Sequence, residues 1–156
     1  MHINIIAVGQ KMPDWVNQGF ADYAARLTGD LTLGINEIPL QKRASASQLA
    51  AAQQKEAAQI QNALQGSDYR VTLDIPGRAH SSESLAARLQ YWQEHHRRLA
   101  LIIGGPEGIA PEIKALAHES WSLGNLTLPH PLVRIIVAEA LYRAWSINHH
   151  HPYHRA

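Results

Sequence analysis

Short β-type runs alternate with segments of helical period along the whole of this sequence, and that alternation restricts the fold more than any other feature. Candidate strands cover Ile3–Val8, Leu31–Ile38, Tyr69–Ile75, Leu99–Ile103 and Leu126–Leu128. Between them lie helix-period segments. In Pro13–Leu27 the residues Val16, Phe20, Tyr23 and Leu27 recur at i, i+4, i+7 and i+11, one face of a helix with Pro13 near its first turn. Ser45–Leu64 is rich in Ala, Gln and Glu and is closed by Gly66, which predicts a helix with a thin apolar stripe, largely exposed. Leu85, Leu89 and Trp92 give Ser82–Gln93 the same spacing, and Pro111-Glu112 opens a helix predicted to reach Glu119. The order β-α-β-α predicts one α/β domain spanning 1–156, a mostly parallel sheet with helices on both faces.

Composition narrows the class further. With 46% hydrophobic and 17% charged residues the chain reads as soluble and globular, and no apolar run approaches the roughly 20 residues of a membrane span. The N-terminal stretch lacks the features of an export signal, so the expected compartment is the cytoplasm. There is no cysteine for a disulfide, a thiolate metal site or a nucleophile. A formal net charge of +1 offers no global basic field, so any RNA contact must be local.

In open α/β sheets ligands gather at the carboxyl ends of strands. Here those ends lead into Leu73-Asp74-Ile75-Pro76-Gly77, Gly104-Gly105-Pro106-Glu107-Gly108 and Leu123–Leu128 with Pro129-His130-Pro131. The glycines suit close backbone approach to a ligand, although glycines are also ordinary turn residues. Their spacing is not G-x-G-x-x-G, which disfavours a dinucleotide-dependent oxidoreductase. His130, between two prolines at a helix N-terminus, is expected to be neutral because the helix dipole disfavours an imidazolium there.

The helix Leu132–Ile147 is apolar around most of its circumference, and its own sheet with a second subunit would cover it. Glu139, Arg143 and Ser146 share one narrow arc of it, with Arg134 nearly opposite. Glu139 and Arg143 form either a solvated i, i+4 pair or a polar site. The tail His149-His150-His151-Pro152-Tyr153-His154-Arg155 combines cations, imidazoles and a phenol, as a base-stacking and phosphate-contacting segment would, though chain ends are often frayed. Zinc is disfavoured by the absence of Asp, Glu or Cys at ligand spacing.

Several of these segments closely resemble the ribosomal RNA large subunit methyltransferase H family of SPOUT-class enzymes. They are Val8-Gly9, Lys11-Met12-Pro13-Asp14-Trp15, Leu73-Asp74-Ile75-Pro76-Gly77, Ile102–Gly108, Leu126–Arg134 and His151-Pro152-Tyr153-His154-Arg155. The resemblance implies methylation of N3 of a pseudouridine in bacterial 23S rRNA, on the assembled ribosome, with S-adenosylmethionine as cofactor. It also implies a homodimer and a C-terminal trefoil knot around the cofactor. Carried over by residue, the cofactor pocket comprises Leu73, Gly104, Leu123, Gly124, Asn125, Leu126, Thr127 and Leu128. The RNA and catalytic side draws on His130, Glu139, Arg143, Tyr153, His154 and Arg155, with His130, Arg143 and Arg155 as donors to a developing anion. Gly124-Asn125 and His149-His150 depart from the family pattern. A non-catalytic RNA- or ribosome-binding module is the alternative reading.

Overall fold

The computed structural model describes residues 1–155; Ala156, on which the single-domain reading ends, lies outside them. Five strands form one sheet: β1 (His2–Val8), β2 (Thr32–Ile38), β3 (Tyr69–Ala79), β4 (Arg98–Ile103) and β5 (Glu119–Ser122). Their order is β2-β1-β4-β3-β5, and every neighbouring pair is parallel. The helices are α1 (Asp14–Arg26), α2 (Ala46–Ala63), α3 (Ser82–His95), α4 (Pro111–Lys114) and α5 (His130–Asn148). No helix among the described residues is long and apolar enough to cross a membrane.

Strand alternation divides the core between the two faces of the sheet. Ile3, Ile5, Leu99, Leu101 and Ile103 pack with Leu85, Leu89 and Trp92 of α3 and Val137 and Leu141 of α5. Ile6, Val8, Ala100 and Ile102 face the other way, onto Ala57 and Ile60 of α2 and Ile113 of α4. Most of the apolar circumference of α5 is therefore covered inside the chain, by the sheet, α1 and α3. At the α1–α5 crossing Gly19 permits close approach, since a Cβ there would lie 2.9 Å from Ile135 Cδ1. Helix α2 buries only Ala52, Glu56, Ala57 and Ile60, in line with its thin apolar stripe.

Three boundaries differ from the sequence-based expectation. The fifth strand is Glu119–Ser122 and not Leu126–Leu128. Trp121 of β5 is 3% exposed against the core, whereas Leu126 is 77% exposed in a loop, so burial and not local hydrophobicity selects the strand. The helix expected over Pro111–Glu119 ends after one turn at Lys114, because the chain must straighten for His118 N to donate to Arg70 O and enter the sheet. Strand β3 runs past Ile75 to Ala79. Leu73 and Arg78 both pair with Trp121, so residues 74–77 bulge out of the ladder, as Pro76 favours.

Candidate functional site

The strand ends converge on a cavity of about 550 Å³, within the range that holds a small cofactor. Its wall includes Leu73, Gly104, Leu123, Gly124, Leu126, Thr127 and Leu128, all expected from the sequence. Asn125 sits in the same loop, exposed, and does not line it. Val8, Gly9, Met12, Leu40, Ile75, Ile109 and Val133 also contribute, none of them singled out beforehand as cofactor contacts. They come from β1 and the loop after it, the β2 exit, the β3 bulge, the loop after β4 and the first turn of α5, which the order of the strands and the seating of α5 bring together.

Local sequence explains why the wall is backbone. A Cβ on Gly104 would lie 2.5 Å from the Gly108 carbonyl oxygen, so only glycine lets the loop after β4 double back. Gly124 has φ +118°, in the region L side chains avoid, and turns the chain after β5 beneath the cavity. Glu107 pairs with Arg43, which also holds Glu56 of α2, anchoring the Gly104–Gly108 loop from outside. On the opposite rim, Asp74 of the β3 bulge pairs with Lys114 at 2.9 Å.

His130 completes the wall from the first turn of α5. It is held below the ordinary histidine range, first by burial and then by the Arg134 guanidinium. The neutral form expected from the helix dipole is thus favoured, with burial and Arg134 as its principal causes. Arg134 Nε donates to His130 Nε2 at 3.0 Å.

The remaining expected residues form a second group further along α5. Arg143 pairs with Glu139 at 2.8 Å, and Tyr153 Oη donates to Glu139 Oε1 at 3.0 Å. The Arg143 guanidinium also lies over the Tyr153 ring, 4.8 Å from its centroid. His154 bridges Arg143 and Glu83 at 3.4 and 3.3 Å. Arg155 is exposed beyond them. Burial and the Glu139 carboxylate push the Tyr153 phenol up to about 12, so it donates a hydrogen bond and does not ionise near neutrality. Glu139 and Arg143 are thus a tail-binding polar site and not a solvated pair.

The tail is ordered by the end of α5. His150 takes φ +53°, His150 N donates to Ile147 O and His151 N donates to Ser146 O, the two bonds of a Schellman cap. That cap turns Pro152–His154 back along the helix, where Tyr153 packs 4.6 Å from the Tyr142 ring. His149 stacks on Trp145, so the adjacent histidines act as a helix stop.

The chain is thus an α/β protein whose parallel sheet ends in a glycine-walled cavity, followed by a long apolar helix with a folded-back tail. The family model described as "Predicted SPOUT methyltransferase" matches residues 1–154, and the chain belongs to that family. It is 70% identical, over the full length of both chains, to the ribosomal RNA large subunit methyltransferase H of Dichelobacter nodosus (strain VCS1703A). Among solved structures, a "Probable Methyltransferase" from Bordetella pertussis Tohama I shares the fold with a TM-score of 0.58 at 14% identity, covering 91% of this chain and 95% of that one. A "probable methylase family protein" from Haemophilus influenzae Rd KW20 gives 0.55 at 14% identity, covering 99% of this chain and 70% of that one.

SPOUT methyltransferases draw their methyl group from S-adenosylmethionine, and so does this chain. The residues present fit that cofactor. The cavity is large enough, mostly apolar in its lining, and walled by glycine backbone where a side chain would intrude.

Proposed function

We propose that this protein methylates N3 of a pseudouridine in 23S ribosomal RNA, on the assembled ribosome, in the cytoplasm and as a homodimer. The observation that carries the reading is the backbone-walled cavity at the strand ends, in a chain that matches an rRNA large subunit methyltransferase from end to end. Leu73, Gly104 and the Leu123–Leu128 loop would hold S-adenosylmethionine, with Asn125 contributing backbone only. The bound cofactor supplies an electrophilic methyl carbon, whose bond to sulfur breaks as N3 attacks it.

The protein's own contribution is to orient the base and stabilise the negative charge that N3 acquires as its proton leaves. Arg143 and Arg155 supply fixed positive charge for that purpose. Tyr153, a donor that keeps its proton, orders the tail between them. Glu139, His154 and water are the candidate proton acceptors.

Geometry supports the dimer. Glu139 and Arg143 lie nine and thirteen residues beyond His130, which at 1.5 Å per residue is about 14 to 20 Å along α5. A single base cannot touch both the cavity and its own chain's Tyr153 group over that span. A second copy, presenting its tail to the first copy's cavity, brings them together. The exposed apolar residues Trp15, Leu126 and Leu132 at the helix-start end of the molecule suit that contact. The trefoil knot belongs to the same proposal, supported by the meeting of the Gly104–Gly108 and Leu123–Leu128 loops at one cavity; end-to-end tracing of a crystal structure decides it.

Methylation mapping of 23S rRNA from a deletion strain, with in vitro restoration on purified ribosomes, tests the activity. One missing methyl restored by the protein and S-adenosylmethionine is the expected result. Cofactor binding without any methyl transfer to ribosomes or free rRNA would instead favour the non-catalytic RNA- or ribosome-binding module.

A further inference from the structure

The group that the cavity alone leaves unexplained is a buried guanidinium. Arg134 is 2% exposed, yet it carries a full charge. Each of its three nitrogens reaches a different part of the fold. Nη1 pairs with the Glu37 carboxylate in β2, Nη2 donates to the Gly9 carbonyl beyond β1 at 2.8 Å, and Nε donates to His130 Nε2 at 3.0 Å. His130 in turn lines the cavity with Gly104, beyond β4. The ends of β1 and β2 are therefore tied to the first turn of α5 through one side chain.

Gly9, Gly104 and His130 line the cavity, whereas Arg134 stands behind it. Arginine Nε–H can be received only by a lone pair, so His130 Nε2 carries no hydrogen and the neutral ring's proton sits on Nδ1. The ring nitrogen that could take up a proton is then engaged within the protein. A buried apolar side chain would fill the same space with less desolvation, but it would not hold β2, the Gly9 loop and the start of α5 at hydrogen-bonding distances.

We infer that Arg134 is a positioning residue for methyl transfer: it sets the spacing of the Gly9 loop and of His130 around the cofactor, and His130 takes no proton from the RNA base. This rests on the reading that the cavity holds S-adenosylmethionine. The contact with Arg134 can be kept or removed at the histidine itself. A glutamine at 130 places its oxygen near the Nε2 position and keeps the Arg134 contact, whereas an asparagine reaches only the Nδ1 position and loses it.

The experiment measures S-adenosylmethionine binding by calorimetry and steady-state kinetics on ribosomes for wild type, His130→Asn, His130→Gln and Arg134→Lys, with circular dichroism melts alongside. Wild type that fails to bind the cofactor overturns the cavity reading itself. If wild type binds, His130→Asn is expected to bind about tenfold more weakly than His130→Gln, the worth of one hydrogen bond, with the loss falling on cofactor KM and not on kcat. Arg134→Lys, which retains the charge but not the three-way fork, is expected to weaken cofactor binding to a similar extent. Unchanged cofactor affinity in both His130 variants, with kcat reduced about 100-fold or more in each, makes His130 an acid or base and overturns the inference. If Arg134→Lys does not fold, the comparison of the two His130 variants still decides it.

Discussion

Gly104 shows how little freedom the site leaves at single positions. Adding a methyl group forces the Gly108 carbonyl aside, an overpacking that costs about 1 to 3 kcal/mol, or roughly 5- to 150-fold in an equilibrium. Gly104→Ala is therefore expected to weaken S-adenosylmethionine binding by about that factor while the thermal melt stays cooperative; calorimetry showing wild-type affinity would mean that this loop does not touch the cofactor. His130, with His2 and His80, is held below the usual histidine value of 6.5, in each case chiefly by burial. The unfolded chain then binds more protons than the folded one below pH 6.5, so stability is complete above that pH and falls as pH drops towards the depressed folded values. Asp68 and Glu83, also depressed, lose their contribution only at more acidic pH, below their ordinary values of 3.8 and 4.5. Urea midpoints measured between pH 7.5 and 5.5 are expected to decline, and less steeply in His130→Asn. A flat profile would contradict burial of these rings.

At the scale of elements, the cap at the end of α5 folds Tyr153 and His154 back onto Glu139 and Arg143. His150 occupies the left-handed position of the cap, where glycine avoids a cost of roughly 1 kcal/mol that a side chain incurs. His150→Gly is thus expected to raise unfolding free energy by about 0.5 to 1 kcal/mol, read from chemical denaturation. A destabilised variant would show that the imidazole has contacts that outweigh the backbone. Deleting residues 153–156 removes the phenol over Arg143 and the Arg155 charge, but none of the cavity wall. Cofactor affinity should stay near wild type, whereas methyl transfer on ribosomes should fall at least about tenfold, since losing one aromatic stack alone costs about 1 to 3 kcal/mol. Full activity after the deletion would remove the tail from the mechanism.

For the whole molecule, the proposed sharing of the site between two copies predicts that activity depends on assembly. Sedimentation at micromolar concentration should show twice the 17.3 kDa chain mass, and Leu132→Glu at the exposed start of α5 should shift the molecule towards monomer and reduce activity in parallel. A fully active monomer would refute the shared site. Much of this architecture was readable in the chain. Period and capping residues located all four long helices and the first four strands, because side chains spaced every 2 or 3.6 residues must share a face wherever the chain goes. Family motifs marked the Gly104 loop, Leu126–Leu128 and the His151–Arg155 tail, since close backbone approach demands glycine where a side chain would intrude. Only the tertiary structure decided that Trp121 and not Leu126–Leu128 carries the last strand, because burial depends on which neighbour arrives. It alone brought Gly9, Ile75 and Leu40 to the same cavity, through the order β2-β1-β4-β3-β5. Arg134 had been visible as an isolated charge on an apolar helix, but its partners stand 97 and 125 residues away in Glu37 and Gly9, and no local pattern encodes a contact over that distance.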